Sequence, residues 1–428
     1  MSYTSLFDDL TAAPSRASRP AGGPTAALMA EFSDQQAQAL ALPAHASAVI
    51  RAGAGSGKTR LLVARAVALM SQGVAPQDIA LISFTRKSAA ELRERIAART
   101  GSPARTPVCS TLHALALRAC KADNPYLRLI TEAELAPVLQ DLRDLLGPSA
   151  GTLTDREIAA LVGRQREARD TSGSFGLAAA ALDDLLAQQG AHDFARLLDD
   201  AKPRHPFAFS HVLVDEAQDL SALQLEFIAK ISRPDAATWF VGDDDQSIFI
   251  FCGAKADRMR ELAERQNYSR VTLTRNYRCA RSIVAAANRL MGAAPDREAV
   301  LWEATTDEEG SVAVVKHADK DSEFEAAAHA ARTQGHQILV RTRAMAQRYL
   351  DSGIEACTIH EAKGLEWDKV WVAGLVQGCL PHALADADEE RRLMYVAVTR
   401  AKRELVLSYA CAGRQQPSQF LNETRAVS

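Results

Sequence analysis

The 428-residue sequence lacks the cysteine spacing on which small stapled or zinc-stabilised folds depend. Its seven cysteines are widely scattered, no two of them form a CxxC pair, and an odd number cannot all be paired with one another. Because disulfide frameworks and structural zinc sites both need clustered cysteines, we expect neither. A reducing compartment, the cytoplasm, is the expected location.

Long apolar runs are also missing. The longest of them, such as residues 370–376, are far shorter than the roughly 20 apolar residues that a membrane-spanning helix needs. The first residues do not combine a charged start with an apolar stretch, as an export leader would. We therefore expect neither export nor insertion into a membrane.

An excess of positive charge is missing too. With 50 Lys and Arg against 53 Asp and Glu, the net charge is −3, so a nucleic-acid partner would have to bind in a local groove. Charge therefore neither favours nor excludes DNA. Apolar side chains are abundant at 47%, which at this length allows two or three domains with separate cores.

The chain divides into a tail, two α/β regions and a helical insertion. Residues 1–30, rich in Ala, Ser, Pro and Gly, predict a flexible tail, whose SLFDDL segment is a candidate docking site for a protein partner. Further on, apolar β-type runs alternate with helical patterns, which predicts parallel sheets flanked by helices. Residues 121–204 predict only helices, with GRQREAR (163–169) as their most basic patch. The strand candidates are residues 79–84, 212–214, 238–241, 271–273, 312–315, 338–340, 370–372 and 405–407, and another short apolar run covers residues 48–50.

The segment AGAGSGKTR, residues 52–60, predicts a phosphate-binding loop. A glycine-rich turn lets backbone N–H groups face a phosphate, and the following helix adds the positive end of its dipole. Lys58 supplies a point charge and Thr59 a hydroxyl for Mg²⁺. Ala52 stands where the strict motif has its first glycine. The predicted cradle consists of Gly53, Gly55, Ser56 and Gly57.

A second signal is HVLVDEAQD, residues 211–219, an apolar strand that ends in two adjacent carboxylates. Nucleotide hydrolysis needs one carboxylate beside Mg²⁺ and another that orients or deprotonates the attacking water. Asp215 fits the first role and Glu216 the second. Together with the phosphate loop, this pair predicts a nucleotide hydrolase.

The sequence also resembles a family, the superfamily 1 helicases of the UvrD/Rep/PcrA group. Nine blocks follow the family's order between Phe32 and about Tyr409: FSDQQ, GAGSGKTR, SFTRKSAAELRERI, STLHALALR, VDEAQD, VGDDDQSIF, LTRNYR, TIHEAKGLEWDKVWV and RRLMYVAVTRA. The resemblance implies two RecA-like domains that bind ATP and Mg²⁺ in their cleft and move along single-stranded DNA, generally 3′ to 5′.

The resemblance also implies roles for residues of the ATP site. Two arginines would approach the γ-phosphate from the second domain, where such groups contribute roughly 10³–10⁵ in rate. The implied roles are Gln36 for adenine, Arg60 and Tyr277 for stacking on the base, Glu366 for the ribose, Gln246 as γ-phosphate sensor, and Arg278 and Arg400 as the two arginines.

A DNA track is implied in the same way, with single-stranded DNA and its junctions with duplex as partners. Base stacking is sequence-tolerant and needs aromatic faces beside cationic and polar groups. Phe84, at a strand end, is alternatively an ordinary core residue. The family usually has Tyr and Trp at Phe249 and Phe251, arginine at Cys252 and asparagine at Arg86. The implied contacts are Phe84, Thr85, Arg86, Thr111, His113, Phe249, Phe251, Thr358 and His360.

The predicted domain organisation is compact. Residues 31–120 and 205–275 form RecA-like domain 1A, residues 121–204 the accessory insertion 1B, and residues 276–428 domain 2A. The span between the YR and TIHEAKG blocks only completes a RecA-like domain, so the second accessory domain, 2B, is expected to be missing. We expect a monomer.

Three functions remain open from the sequence. The favoured one is an ATP-dependent 3′ to 5′ translocase and helicase. The same residues would serve a translocase that strips proteins from DNA without separating strands. The third is an ATP-binding adaptor that switches conformation without acting as a motor.

Overall fold

The computed structural model describes residues 31–202, 207–249, 255, 257–264, 267–295, 297, 300–383, 385–411 and 415–424. The predicted tail, Phe251 and Cys252 lie outside the described residues. Within these ranges, no helix combines the length and apolar character required to cross a bilayer.

Strands and helices alternate along most of the described chain. The strands are β1 (Ala48–Ala52), β2 (Ile79–Ile82), β3 (Val108–Ser110), β4 (Arg128–Leu129), β5 (Ala191–His192), β6 (Phe209–Val214), β7 (Ser232–Gly242), β8 (Ser269–Leu273), β9 (Arg275–Asn276), β10 (Glu303–Ala304), β11 (Ser311–His317), β12 (Gln337–Val340), β13 (Ala356–Thr358), β14 (Trp367–Val372) and β15 (Ala401–Ala410). The helices are α1 (Asp34–Leu40), α2 (Lys58–Ser71), α3 (Arg86–Thr100), α4 (Leu112–Asp123), α5 (Glu132–Leu146), α6 (Asp155–Ala168), α7 (Gly173–Gln188), α8 (Phe194–Asp200), α9 (Ala222–Ile231), α10 (Arg258–Glu264), α11 (Arg281–Gly292), α12 (Lys320–Gln334), α13 (Arg343–Asp351), α14 (Ala387–Val398) and α15 (Gln419–Thr424).

The first sheet has six strands in the order β3-β2-β6-β7-β1-β8, and all their pairings are parallel. Every residue of β1 is buried, as expected for a strand that is covered on both faces of a parallel sheet. Because β6, β7 and β1 are neighbours, the loops after their carboxyl ends converge at one edge. Ligands of open α/β sheets bind at such an edge.

The second sheet has five parallel strands in the order β11-β15-β14-β12-β13. Its core joins the buried side of α14 to strands β14 and β15 and to helix α11. The residues that precede β14 and β15 lie at the amino edge of this sheet, whereas Thr358 closes β13 at the opposite edge. The two edges therefore present different functional residues. These two parallel sheets confirm the predicted α/β fold class.

Within the predicted insertion, helices α5 to α7 pack around an apolar core of their own, whereas α8 contributes Ala195, Leu197 and Leu198 to the core of the first sheet. Helix α5 begins at Thr131, whose side chain accepts from Glu134 N while the Glu134 side chain caps Thr131 N, a capping box. The basic patch is neutralised within the fold. Arg166 pairs with Asp183 and Asp193, while Arg169 contacts Asp199 and Glu226 at 2.8 and 2.6 Å. These contacts hold the insertion against itself and against α9.

Candidate nucleotide site and nucleic-acid interface

The phosphate loop joins β1 to α2 and depends on glycine geometry. Gly55 and Gly57 have positive φ angles of 69° and 82°, a region that side-chain-bearing residues rarely adopt. A Cβ atom at Gly53 would lie 2.7 Å from the ring of Trp302, so only glycine fits beneath that ring. The Lys58 ammonium donates to the carbonyl oxygens of Ala52 and Gly53 at 3.0 and 3.3 Å. The Lys58 ammonium therefore lies against the phosphate loop, as the sequence predicted.

The two predicted catalytic carboxylates follow β6 and lie beside this loop. Asp215 Oδ1 accepts from Glu216 N at 3.0 Å, and Glu216 has a left-handed φ of 51°, a conformation that is unusual for a residue with a side chain. Burial and the Glu216 charge raise the pKa of Asp215. Burial opposes ionisation of Glu216 as well, but Lys58 and Lys363 outweigh it and lower its pKa. Glu216 is thus ionised at neutral pH.

The donor set beside the loop fits Mg²⁺. The side chain of Thr59 hydrogen-bonds the buried carboxylate of Asp215. Mg²⁺ prefers hard oxygen ligands and is usually held by one or two protein groups together with substrate phosphates. Two adjacent buried carboxylates also carry a local excess of negative charge that a divalent cation would offset.

Gln218, which the sequence interpretation did not single out, connects these carboxylates to the next loop. Its Nε2 donates to Glu216 Oε2 at 2.6 Å, and its Oε1 accepts from Asp243 N at 3.0 Å. A Cβ atom at Gly242 would lie 2.4 Å from that oxygen, which explains the glycine there. The side chain is fully buried. The place of Gln218 in VDEAQD indicated that it lies near the two carboxylates, but not which residues its side chain contacts.

The three carboxylates of the GDDDQ loop have separate structural roles. Asp243 accepts from Gln246 Nε2 at 2.8 Å. Asp244 accepts from Met259 N at 2.9 Å and so caps the first turn of α10. Asp245, only 3% exposed, forms an ion pair with Arg297. These contacts show that the three aspartates shape the loop.

Gln246, the predicted γ-phosphate sensor, contacts both halves of the molecule. Its Oε1 accepts from Arg400 Nη2 at 3.3 Å, and its main-chain oxygen accepts from Lys363 Nζ at 2.7 Å. Lys363 also pairs with the buried Asp219. A single residue of the first sheet's edge is therefore held by two cations that belong to the second half.

Both predicted arginines reach this edge from the second sheet. Arg400 is 1% exposed and donates to Val396 O at 3.0 Å and to Leu365 O at 3.1 Å. Burial lowers its pKa to about 10, so the guanidinium stays charged at neutral pH. Arg278 donates through Nε to Glu366 Oε2 at 2.5 Å, and Glu366 also accepts from Lys402. The predicted ribose contact, Glu366, is thus an ion-pair partner of this arginine.

The Arg297–Asp245 pair joins the two halves, and its removal is expected to destabilise the fold. Arg297 contacts Asp245 at 2.6 Å, and Arg51 approaches the same carboxylate at 3.9 Å. Arg297→Met leaves a buried carboxylate poorly compensated, which typically costs about 3–5 kcal/mol. Urea unfolding measures this loss.

Arg260→Met is the matched control for that change. Arg260 pairs with Asp257 at 3.0 Å, but both side chains are about half exposed, at 47% and 50%. Exposed pairs contribute about 1 kcal/mol or less. Equal losses in the two variants would contradict the structural role of the Arg297–Asp245 pair.

The residues predicted to contact the base lie around the phosphate loop. They contact protein groups that the sequence did not suggest. The Gln36 amide is buried, donates to Ser56 O at 3.0 Å and accepts from Ser33 N at 3.2 Å, so it ties α1 to the phosphate loop. The Arg60 guanidinium lies 4.7 Å from the centre of the Phe32 ring, a partner that the sequence did not suggest. Tyr277 is 47% exposed, and its N–H donates to Gly55 O at 2.8 Å.

Two of the predicted DNA contacts stack on each other. The rings of Phe84 and Phe249 are 5.2 Å apart and nearly parallel, at 15°. Phe84 is 47% exposed, so it is not the core residue that the alternative interpretation described. Lys363 Nζ lies 5.0 Å from the Phe249 ring centre, and His360 lies beside the same ring at 6.4 Å. An aromatic and cationic cluster therefore begins three residues after Gln246.

The predicted threonines have local roles as well. Thr85 accepts from Ser88 N and Thr111 from Ala114 N, so they cap α3 and α4. Arg86, in the first turn of α3, is exposed. His113 packs edge-on against Phe194 at 5.3 Å, and Phe194 is 63% exposed. Phe194 was not predicted, because one phenylalanine in a helical pattern is typical of a core.

Thr358 and His360 line a cleft of about 590 Å³ at the carboxyl edge of the second sheet, with Arg341 and Arg343 on its wall. Thr358 donates to Glu361 Oε2 at 2.9 Å. Burial, with Arg341 nearby, lowers the pKa of His360 to about 4, so this imidazole is neutral at pH 7. Both arginines are paired with carboxylates of the same cleft, Arg341 with Glu390 at 2.8 Å and Arg343 with Glu361 at 3.7 Å, so their charge is balanced there.

A phosphate loop after β1, acidic residues after β6 and arginines from a second parallel sheet define a P-loop nucleoside triphosphatase with two RecA-like sheets. Comparison with known families is more specific. The pattern described as "UvrD/REP helicase N-terminal domain" matches residues 32–171 and 182–267, and "UvrD-like helicase C-terminal domain" matches residues 337–412. The chain belongs to the UvrD/Rep helicase family.

Individual relatives cover most of the chain. It is 27% identical to "ATP-dependent DNA helicase UvrD2" of Mycobacterium tuberculosis, across 93% of this chain and 83% of the relative. "DNA helicase IV" of Escherichia coli K12 is 28% identical across 93% of this chain and 72% of the relative. The mycobacterial alignment extends over 587 residues, more than the 428 of this chain, so that relative contains inserted segments that this chain lacks.

Proposed function

We propose that this protein is an ATP-dependent DNA helicase that hydrolyses ATP between its two parallel sheets and moves 3′ to 5′ along single-stranded DNA. The observation that carries the proposal is the position of the loop from Gly242 to Phe249. Its Gln246 contacts Arg400 at the nucleotide site, and its Phe249 stacks on Phe84 in an exposed aromatic cluster. One short loop can therefore transmit the nucleotide state to the DNA contacts.

The proposed domains follow the two sheets. Residues 31–120 and 205–275 form RecA-like domain 1A, residues 121–204 the insertion 1B, and residues 276–428 domain 2A. Residues 278–357 contain helices α11 to α13, the short strand β10 and strands β11 and β12 of the second sheet, which supports the lack of a 2B domain. The inserted segments of the mycobacterial relative agree with this compact form. The protein acts as a monomer in this proposal.

The proposed chemistry distributes charge around the γ-phosphate of ATP. Lys58 and the loop N–H groups bind phosphate oxygens, and the ionised Glu216 accepts a proton from the attacking water. Arg278 and Arg400 stabilise the negative charge that develops in the transition state. Bound by Thr59 and Asp215, Mg²⁺ supplies further positive charge at the phosphates.

The proposed DNA path runs across both domains. Phe84, Thr85, Arg86, Thr111, His113, Phe249, Thr358 and His360 are proposed contacts, and we add Phe194 because it is exposed and packs against His113. Exposed aromatic faces at Phe84 and Phe194 supply the stacking surfaces that sequence-tolerant binding requires. The 3′ to 5′ direction is supported by the resemblance of the nine sequence blocks to the family.

Strand displacement on tailed duplexes tests this function. Two DNA substrates carry the same duplex, one with a 3′ and one with a 5′ single-stranded tail. We expect displacement with ATP only from the 3′ tail. Displacement only from the 5′ tail would refute the polarity, while ATP hydrolysis without displacement from either tail would favour the translocase that strips proteins.

Phe249→Ala tests the DNA grip. Loss of one stacking face is expected to cost about 1–3 kcal/mol, which weakens single-stranded DNA binding by roughly 5- to 150-fold. Fluorescence anisotropy with a labelled oligonucleotide measures this affinity. Tyr126→Ala, at an aromatic residue that is 93% exposed and lies outside the proposed path, serves as the control. Equal affinities of the Phe249 variant and the parent would contradict the proposed contact.

A further inference from the structure

Asn276 joins the phosphate loop to the backbone of Arg278. Its Nδ2 donates to Ala54 O at 2.8 Å, across 222 positions of sequence. Its Oδ1 accepts from Arg278 N at 2.9 Å and from Cys279 N at 2.8 Å. The side chain is 4% exposed, so water cannot readily replace these bonds.

The surroundings fix the orientation of this amide. One side faces a carbonyl oxygen and the other faces two N–H groups, so only one assignment of Nδ2 and Oδ1 satisfies all three partners. The main chain of Asn276 is also held, since its oxygen accepts from Thr305 N at 2.9 Å. Neither an aspartate nor a shorter polar residue can make the same set of bonds.

The phosphate loop and Arg278 lie close together. A Cβ atom at Gly55 would lie 2.6 Å from Arg278 Cβ and 2.9 Å from Asn276 Oδ1. The Arg278 side chain then extends to Glu366 at 2.5 Å and to Thr399 O at 3.3 Å. The backbone of the arginine is thus placed by the phosphate loop and Asn276, and its guanidinium is held by Glu366 and Thr399.

We propose that Asn276 is a positioning residue that fixes Arg278 relative to the phosphate loop and acts on ATP hydrolysis through that arginine. This inference rests on the proposed ATPase function. Binding of phosphates depends on the loop and Lys58, whereas transition-state stabilisation depends on where the guanidinium lies. Displacement of a catalytic group by about 1 Å can cost roughly 100-fold in rate. Asn276 therefore influences kcat far more than KM.

The test is a double-mutant cycle with Asn276→Asp and Arg278→Ala. Asn276→Asp keeps the acceptor for the two N–H groups but places a carboxylate oxygen against Ala54 O. We expect kcat for ATP to fall about 10- to 100-fold while KM changes less than about threefold. In the Arg278→Ala background, the same change is expected to have no further effect on kcat. Thermal unfolding of each variant is measured in parallel.

Asn288→Asp is the matched control. The Asn288 amide also bonds in both directions, to Trp302 O at 2.8 Å and from Trp302 N at 3.0 Å, but it does not bond Arg278. If Asn288→Asp lowers kcat, the same fold-decrease should be seen in the Arg278→Ala background, so that the two decreases multiply. Asn276→Ser, which removes the bond to Ala54 without adding charge, repeats the cycle if Asn276→Asp does not fold.

The outcomes distinguish a failure of the positioning role of Asn276 from a failure of the proposed ATPase function. Losses from Asn276 and Arg278 that multiply fully, or a rise in KM equal to the fall in kcat, would overturn the positioning role and leave the ATPase standing. If the unmodified protein did not hydrolyse ATP, with or without single-stranded DNA, the proposed function would fail, and this inference with it.

Discussion

Glu216→Gln is expected to lower the ATP turnover rate by about 10³-fold while ATP still binds. The change keeps the shape of the side chain and removes the charge that accepts a proton from water, a contribution of roughly 10²–10⁴ in rate. Lys58 and Lys363, which lower the pKa of Glu216, keep it ionised at neutral pH. The loop that binds phosphate is left intact, so affinity is expected to stay within about threefold.

Steady-state hydrolysis and equilibrium binding of a fluorescent ATP analogue measure the two quantities. Glu226→Gln is the matched control, because Glu226 is half exposed on α9 and pairs with Arg169 at 2.6 Å, away from the loop. Turnover in that variant should match the parent. A Glu216→Gln protein that retained turnover would refute the role of Glu216 as the base.

Arg400→Ala is expected to lower kcat by about 10³- to 10⁵-fold, the range for loss of an arginine that stabilises phosphoryl transfer. The guanidinium is buried and hydrogen-bonds Gln246, Val396, Leu365 and Thr399. Arg400→Lys should recover little activity, since an ammonium cannot reproduce this planar set of bonds. Binding of the ATP analogue and thermal unfolding are measured alongside hydrolysis.

Arg391→Lys is the control for this change. Arg391 is 6% exposed, lies on α14 nine residues before Arg400 and pairs with Glu423 at 3.1 Å, facing the Phe420 ring rather than the nucleotide site. We expect it to lower stability with little change in kcat of the folded protein. If the two arginine variants lost kcat equally, Arg400 would have no specific role in hydrolysis.

The sequence predicted the fold class and eight strands because short apolar runs alternate with helical patterns. All eight strand candidates fall within or overlap observed strands, although β11 is not buried. The strands it missed, β3 and β13, are three residues long, too short for an apolar run to stand out from its surroundings. The pairs β4–β5 and β9–β10 have two residues per strand and leave no periodic signal.

The sequence indicated which residues form the candidate site, but not which residues contact one another within it. The order VDEAQD identified Asp215 and Glu216, yet it could not indicate that Gln218 contacts both Glu216 and the loop of Gly242. Likewise, the pairing of Lys363 with Asp219 joins residues 144 positions apart. Such long-range contacts depend on how the two sheets pack, which a local pattern does not encode.

The GDDDQ loop illustrates this difference. The resemblance gave Gln246 a role at the ATP site and Phe249 a role in DNA binding, but it gave none to the three aspartates between Gly242 and Gln246. The structure assigns each a partner: Gln246 for Asp243, Met259 for Asp244 and Arg297 for Asp245. The loop is therefore held rigidly before it reaches Phe249, as transmission between two ligands would require.

Stimulation of ATP hydrolysis by single-stranded DNA tests the central claim most directly, because the claim is that one loop connects the two ligands. Hydrolysis is measured with and without a saturating oligonucleotide, in the unmodified protein and in Phe249→Ala. The account predicts that DNA raises kcat about tenfold or more, equivalent to roughly 1.4 kcal/mol of barrier, and that the variant loses most of this increase at saturating DNA. Equal hydrolysis rates with and without DNA would contradict it and favour an ATP-binding adaptor.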